Sequence, residues 1–280
     1  MRIGVGLPTS TPGITPEILL TWAQQAEAGP FSSLGVVDRL AYHNLDPLLS
    51  LTAAAAVTRR IGLATMILIA PLRNPALLAK QAATLDVLSG GRLTLGVAVG
   101  ARAEDYEVAG LPAAARGSRL AEQLEIMRDT WEEGRIGPRP VQDAGPRLLV
   151  GGASGPSLSR MARFAQGYVH AGGPPRSFAS AAARVKAAWR EAGRPGRPLL
   201  WAMAYFALGN GAAEEGAEYL RHYYAFTGAF AEKIAAGNLT SASATRDFVR
   251  GYEDAGCDEL VLFPTVSRLE QLERLAGVFG

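Results

Sequence analysis

Asp38, His43 and His170 are the side chains of this 280-residue chain best suited to move a proton. Asp38 ends the apolar run LGVVD, His43 follows in the polar stretch after it, and His170 lies within the run YVHAGG. A carboxylate or imidazole at the end of such a run acts as general acid or base when it reaches the reacting atom. His43 reads equally as a surface residue, and His170 as a satisfied core histidine rather than one that points into a site. Three runs end on glycine: LTLGVAVG on Gly100, RLLVGG on Gly151 and Gly152, and YVHAGG on Gly172 and Gly173. In VGGASGPS, Ser154 then opens a helix. Free N–H groups at a helix start, preceded by residues without a Cβ, form an anion cradle. An ordinary N-cap beside flexible glycines is the alternative reading. Three neighbouring run ends without side chains leave space for a phosphate or a planar ring.

Other chemistries lack their residues. The three histidines, His43, His170 and His222, have no metal-ligand spacing, and neither CxxC nor HExxH occurs, so no metal site is expected. GASGP is not GxSxG, which removes the serine-hydrolase reading. Gly4-Val5-Gly6 lacks the third glycine of a dinucleotide fingerprint, because Thr9 stands there. Net charge is +2, from 28 basic and 26 acidic residues, and no basic run reaches five. Nucleic acid and membrane surfaces are therefore not expected partners. Cys257 is the only cysteine, so no internal disulfide can form and a reducing, cytoplasmic setting fits. The chain opens on a strand-like run without a signal-peptide core, and no apolar stretch is long enough to span a bilayer.

The elements that must position these residues alternate from end to end. Apolar runs predict strands over 3–8, 34–38, 61–69, 93–99, 147–152, 168–173, 199–209 and 258–264. Helical spacing predicts helices over 16–29, 46–60, 118–134, 157–167, 177–193, 213–236, 242–255 and 268–279, and one from Asn74 to the Gly90-Gly91 stop. Asp46-Pro47 and Asn74-Pro75 place a capping side chain before a proline at the first helical position. Eight continuous apolar strands alternating with helices predict parallel βα units closed into a (β/α)₈ TIM barrel, an α/β fold with one domain over 1–280. The irregular stretches 8–14, 39–45 and 101–117 follow strands and belong to the C-terminal face, where barrel enzymes carry their sites, whereas 135–146 precedes a strand and belongs to the opposite face.

With a barrel in place, IGLATMILIAPLRNPALLAKQAATLDVLSGGRLTLGVAVG (61–100) resembles the luciferase-like flavin-dependent oxidoreductases, the group that contains bacterial luciferase and the F420-dependent deazaflavin enzymes. VVDRLAYHNLDPLLSLTAAA, LLVGGASGPSLSRMARFAQGYV, YLRHYYAFTGAF and AGCDELVLFPT extend the resemblance over most of the chain. It implies a barrel that binds coenzyme F420 or, alternatively, FMN at its C-terminal face. It implies a non-proline cis peptide at Met66-Ile67 beneath the ring, and a phosphate near Gly100, Gly151, Gly152 and Ser154. Asp38 matches the acidic residue of the second strand. Arg39 stands where bacterial luciferase has a catalytic histidine, and Val99 where it has an arginine, so light-emitting aldehyde chemistry is not expected. Arg39 is left to pair with a flavin carbonyl or with Asp38. The implied activity is hydride transfer to or from a small organic substrate, or its monooxygenation. Asp38, His43 and His170 are the candidate proton donors. An FMN enzyme would take reduced flavin from a partner reductase, and members often form homodimers. Two other readings remain: a flavin-binding protein without turnover, and a non-redox phosphate-binding barrel, against which the LFPT end of the last strand offers no glycine cradle. The expected pocket walls are 9–14, 40–44, 103–106 and 219–230.

Overall fold

Helix starts in this chain are set by side chains that accept the first free amides. Asp46 accepts from Leu48 and Leu49, Asn74 from Leu77, and Ser154 from Ser157, each with a proline in the first two helical positions. In a computed structural model describing residues 1–134 and 136–279, the helices are α1 (Pro16–Ala28), α2 (Pro47–Val57), α3 (Pro75–Ser89), α4 (Ala103–Val108), α5 (Arg116–Glu133), α6 (Gly155–Phe164), α7 (Pro175–Glu191), α8 (Ala212–Tyr223), α9 (Phe230–Ala236), α10 (Ala242–Asp254) and α11 (Glu270–Phe279). Between them run β1 (Arg2–Gly6), β2 (Ser33–Val36), β3 (Gly62–Ile69), β4 (Leu93–Ala98), β5 (Arg147–Gly151), β6 (Gly167–His170), β7 (Leu199–Phe206) and β8 (Glu259–Pro264). All neighbouring strands are parallel, and β8 returns to pair with β1, closing a single-domain (β/α)₈ barrel in sequence order. No helix among the described residues is long and apolar enough to cross a membrane.

Side chains alternate across each strand and build two apolar layers. Leu34, Val36, Leu95, Val97, Leu148, Val150, Leu260 and Leu262 face outward under the helices. Ala64, Met66, Leu149, Val169, Trp201, Met203, Val261 and Phe263 fill the barrel interior. That second cluster continues upward into Tyr219, Leu220 and Tyr223 of α8, so the mouth is roofed by the same apolar column that forms the core.

Two segments differ from the sequence-based expectation. The stretch 101–117 holds α4 and a 3₁₀ turn at Ala113–Ala115, and α5 starts at Arg116. The single helix expected over 213–236 is broken after Tyr223 by a 3₁₀ turn, Ala225–Thr227, and resumes at Phe230. The cause is tertiary: the Tyr223 carbonyl accepts from Arg102 Nη2 at 2.8 Å instead of serving a helical amide. The break also lets the adjacent rings of Tyr223, Tyr224 and Phe226 all reach that guanidinium, which no straight helix allows.

On the opposite face, Glu27 closes the turn between α2 and β3 by accepting three backbone amides, Arg59, Arg60 and Ile61, at 2.7–2.9 Å. Partial burial alone pushes its carboxyl upward, but these amides and the Arg60 charge outweigh that and hold it below its ordinary 4.5. A carboxylate depressed by folding stabilises the protein above its unfolded pKa, and this is lost as pH falls through the folded value. Glu27→Gln is therefore expected to flatten the acid limb of the stability curve below about pH 4.5. Urea midpoints measured from pH 7 to pH 3 check this; parallel curves for variant and parent refute it.

Candidate functional site

The floor of the site lies where β3, β4 and β5 end. β3 carries one extra residue relative to β4: Thr65 pairs with Leu95 and Leu68 with Val97, so the register slips across Met66 and Ile67. The Met66-Ile67 peptide is cis, at the position the resemblance implies. Met66 turns into the barrel core, and Ile67 stays partly exposed at the mouth. A Cβ on Gly151 would lie 3.4 Å from Ile67 Cγ2 and 3.3 Å from Ala98 Cβ, so these three residues share one small surface. Gly100 has φ +71°, and a Cβ there would come within 2.9 Å of Ile69 Cγ2. Only glycine fits that turn without pushing β3 aside.

The next segment is the turn that the sequence offers as an anion cradle. Gly152 has φ +108°, is exposed, and would drive any Cβ to 2.7 Å from Ser157 Oγ. Ser154 caps α6 through Ser157 N, and the two hydroxyls lie 2.9 Å apart. Pro156 supplies no amide, and Gly155 N, in the first turn of α6, has no partner within the helix. Arg160 Nη2 reaches Ser157 Oγ at 3.2 Å while its Nε is buried without a partner, and burial pulls its pKa below the ordinary guanidinium value. Arg184 Nη2 donates to the Ala153 carbonyl at 2.7 Å, adding a second cation.

Above the floor opens a cavity of ≈ 510 Å³ whose wall includes Arg39, Tyr42, His43, Glu104, His222 and Phe226. Its geometry rests on Asp105 of α4. This fully buried carboxylate accepts from Leu40 N at 3.0 Å, Ala41 N at 2.8 Å and Arg39 Nε at 2.9 Å. Glu104 takes Arg39 Nη2. The charge pairs thus pin the loop after β2 to α4. Arg39 in turn lies 5.3 Å from the Tyr42 ring centroid and 5.8 Å from that of Tyr223. Arg102, nearly buried, stacks on Tyr223, Tyr224 and Phe226 at 4.2–5.4 Å, and its Nε has no partner. Deeper in the mouth, Tyr205 and Tyr224 share a 2.7 Å hydrogen bond, as do Tyr219 and Ser10. Burial pushes the phenols of Tyr205 and Tyr219 well above their usual range, so both stay neutral.

Residues marked from sequence fall into distinct places. Met66, Ile67, Gly100 and Gly151 come together at the floor, and Gly152 and Ser154 continue it. Asp38 does not pair with Arg39. Its carboxylate takes Ile69 N at 2.8 Å and both terminal nitrogens of Arg73, at 2.6 and 3.2 Å, and so ties β2 to the end of the β3 bulge. Arg39, in the loop after β2, faces Asp105 instead. His43 is exposed and lines the cavity. His170, the last residue of β6, has the outward parity of Tyr168 and packs against α7, edge-on to Phe178 at 5.6 Å. Burial lowers its pKa and keeps it neutral. Of the expected walls, 40–44, 103–106 and 219–230 contribute lining residues, whereas 9–14 contributes none and Ser10 bonds Tyr219 instead. Sequence reasoning missed the roles of Asp105, Arg102, Tyr42 and His222. The acidic pair Glu104-Asp105 in the loop after the fourth strand was the available signal.

A family model described as luciferase-like monooxygenase matches residues 1–261. An uncharacterized protein of Mycobacterium tuberculosis is 33% identical over 241 residues, covering 72% of this chain and 83% of that one. The pyrimidine monooxygenase RutA of Cronobacter sakazakii is 33% identical over 178 residues, 54% of this chain and 50% of RutA. Among solved structures, an F420-dependent secondary alcohol dehydrogenase superposes with a TM-score of 0.81 over 99% of this chain and 97% of its own, at 18% identity, a likeness of fold.

Proposed function

Because this chain belongs to the luciferase-like monooxygenase family, we propose that it is an oxidoreductase that binds coenzyme F420 across the ends of β3, β4 and β5 and exchanges a hydride with a small organic molecule in the mouth cavity. The observation that carries this reading is the continuous strip from Ile67, Ala98 and Gly151 to the Gly152–Ser154 cradle. The residues fit such a group. A planar ring needs an apolar floor without projecting side chains, and a phosphate needs free amides and a cation. Arg160 has a buried Nε without a partner beside the cradle, and Arg184 stands behind it. Two guanidinium groups suit a phosphate monoester and equally the anionic tail of F420.

When bound, the deazaflavin supplies the hydride chemistry, and the protein's work is placement. Ile67 and Met66 would support the ring, with Asp38 and Arg73 holding the strand end beneath it. Gly100 and Gly151 leave it room. The Arg39–Asp105 pair keeps the substrate wall in place, and the roof of Tyr223 and Phe226 keeps water from the reacting atoms. His43, among the candidate proton donors, is the one that faces the cavity.

Thermal melting with added F420 or FMN tests the reading. F420 is expected to raise the melting temperature in a dose-dependent way. Stabilisation by FMN alone would select the second reading, a flavin monooxygenase fed by a separate reductase, which the match to a named monooxygenase favours. Stabilisation by neither would remove the cofactor site.

A further inference from the structure

Tyr42 and His222 are 180 residues apart in the chain, yet Tyr42 Oη lies 3.0 Å from His222 Nδ1, and both residues line the same cavity. Tyr42 is held from three sides. Its ring meets Tyr223 edge-on at 5.0 Å, lies beside Arg39 at 5.3 Å, and stands 5.6 Å from the imidazole. A phenol fixed by three ring contacts is preorganised for a directional hydrogen bond. Three other acid–base groups of the mouth are engaged elsewhere: Asp38 with Arg73, Tyr219 with Ser10, and Tyr205 with Tyr224.

We propose that Tyr42 and His222 form the proton-transfer pair of the cavity, with Tyr42 the catalytic residue and His222 its proton reservoir, and that the substrate carries a carbonyl group or the matching alcohol. The proposal rests on the redox reading above. In the reducing direction His222 Nδ1–H donates to the Tyr42 oxygen, and Tyr42 O–H donates to the substrate carbonyl oxygen. Two electrons and one hydrogen nucleus arrive at the carbonyl carbon as hydride from the reduced deazaflavin class of donor. The C=O π pair forms the new O–H bond with the Tyr42 proton. Tyr42 takes the His222 proton, and the neutral imidazole regains one from water on its exposed side. Alcohol oxidation is the reverse. The apolar body of the substrate rests against Tyr223 and Phe226.

The sign of the pH dependence follows. Carbonyl reduction consumes a proton and alcohol oxidation releases one, so reduction falls and oxidation rises with increasing pH. The charged and titratable groups around His222 are Arg39, Tyr42 and His43 from the loop after β2, Glu104 from α4, and Arg221 and Tyr223 on its own helix. Arg221 is neutralised by Glu232 and Glu214. Burial raises the Tyr42 phenol against the opposing charges of Arg39 and Arg102, so it stays protonated until a base takes its proton.

The test uses the full chain loaded with reduced F420, with cyclohexanone and benzaldehyde as probes. Tyr42→Phe is expected to lower kcat by about a hundredfold with little change in KM. His222→Gln should abolish the alkaline fall of the pH profile. Imidazole NMR gives a readout independent of turnover: the His222 titration midpoint should move in Tyr42→Phe, and cyclohexanol should perturb the His222 resonance in the parent only. F420 titration of parent and variants separates the two readings. No binding to the parent overturns both, whereas binding together with an unchanged pH profile in His222→Gln overturns the pair alone. Turnover of neither carbonyl probe, or a profile that follows His43→Gln instead, also overturns it.

Discussion

Asp105→Ala is expected to lower stability by about 3–5 kcal/mol, the cost of breaking a buried ion pair by removing one partner. Asp105 is fully buried, and the Arg39 side chain opposite is 2% exposed. After truncation that guanidinium keeps only Glu104, which is half exposed and less able to compensate a buried charge. Leu40 N and Ala41 N also lose their acceptor, and each unsatisfied amide adds a penalty of roughly 1–3 kcal/mol unless water reaches it. Both amides are only part-buried, so rehydration should keep the total near the ion-pair value. Asp105→Asn also removes the charge but retains an acceptor oxygen for the amides and should cost somewhat less. Urea unfolding of the three proteins measures this directly. A loss below about 1 kcal/mol for the alanine variant would mean that the loop after β2 is held by something other than α4.

Gly152→Val is expected to weaken cofactor binding by about a hundredfold, roughly 2.7 kcal/mol, while the chain still folds. At φ +108° a residue with a branched Cβ is strained, and the added carbon would collide with Ser157 Oγ at 2.7 Å. Relief requires moving either the Ser154–Ser157 cap or the Gly152 amide, and both belong to the cradle. The backbone cost, about 1–3 kcal/mol, falls on an exposed turn outside both apolar layers, so folding should survive. Melting curves with and without F420 separate the effects: a lower baseline temperature reports strain, and a vanished ligand shift reports the site. A variant that keeps the full ligand-induced shift would show that the phosphate does not lie on Gly152.

The barrel was legible in the chain because each of its parts is encoded locally. A strand covered on both faces must be continuously apolar, so LTLGVAV and ELVLFP declare themselves without reference to their neighbours. A helix preceded by Asp46-Pro47 or Asn74-Pro75 carries its own start. The strand ends at Gly100, Gly151 and Gly152 were legible for the same reason, since a turn that excludes Cβ selects glycine. Side-chain direction and long-range pairing were not. His170 stands one residue past Val169, which faces the barrel interior, and that single step of a two-residue period turns it to the helix layer. Arg39 could be assigned to Asp38 beside it in sequence, but its acceptor lies 66 residues away on a helix that had read as loop. Charge attracts whatever opposite charge the fold brings near, and the loop after β2 is brought against α4 only in the folded barrel. Tyr42 meets His222 only because the loop after β2 and the end of α8 converge over one barrel mouth. The architecture was therefore determined by local pattern, while the mouth's chemistry was decided by closure of the barrel, which fixes the distances at which its loops can meet.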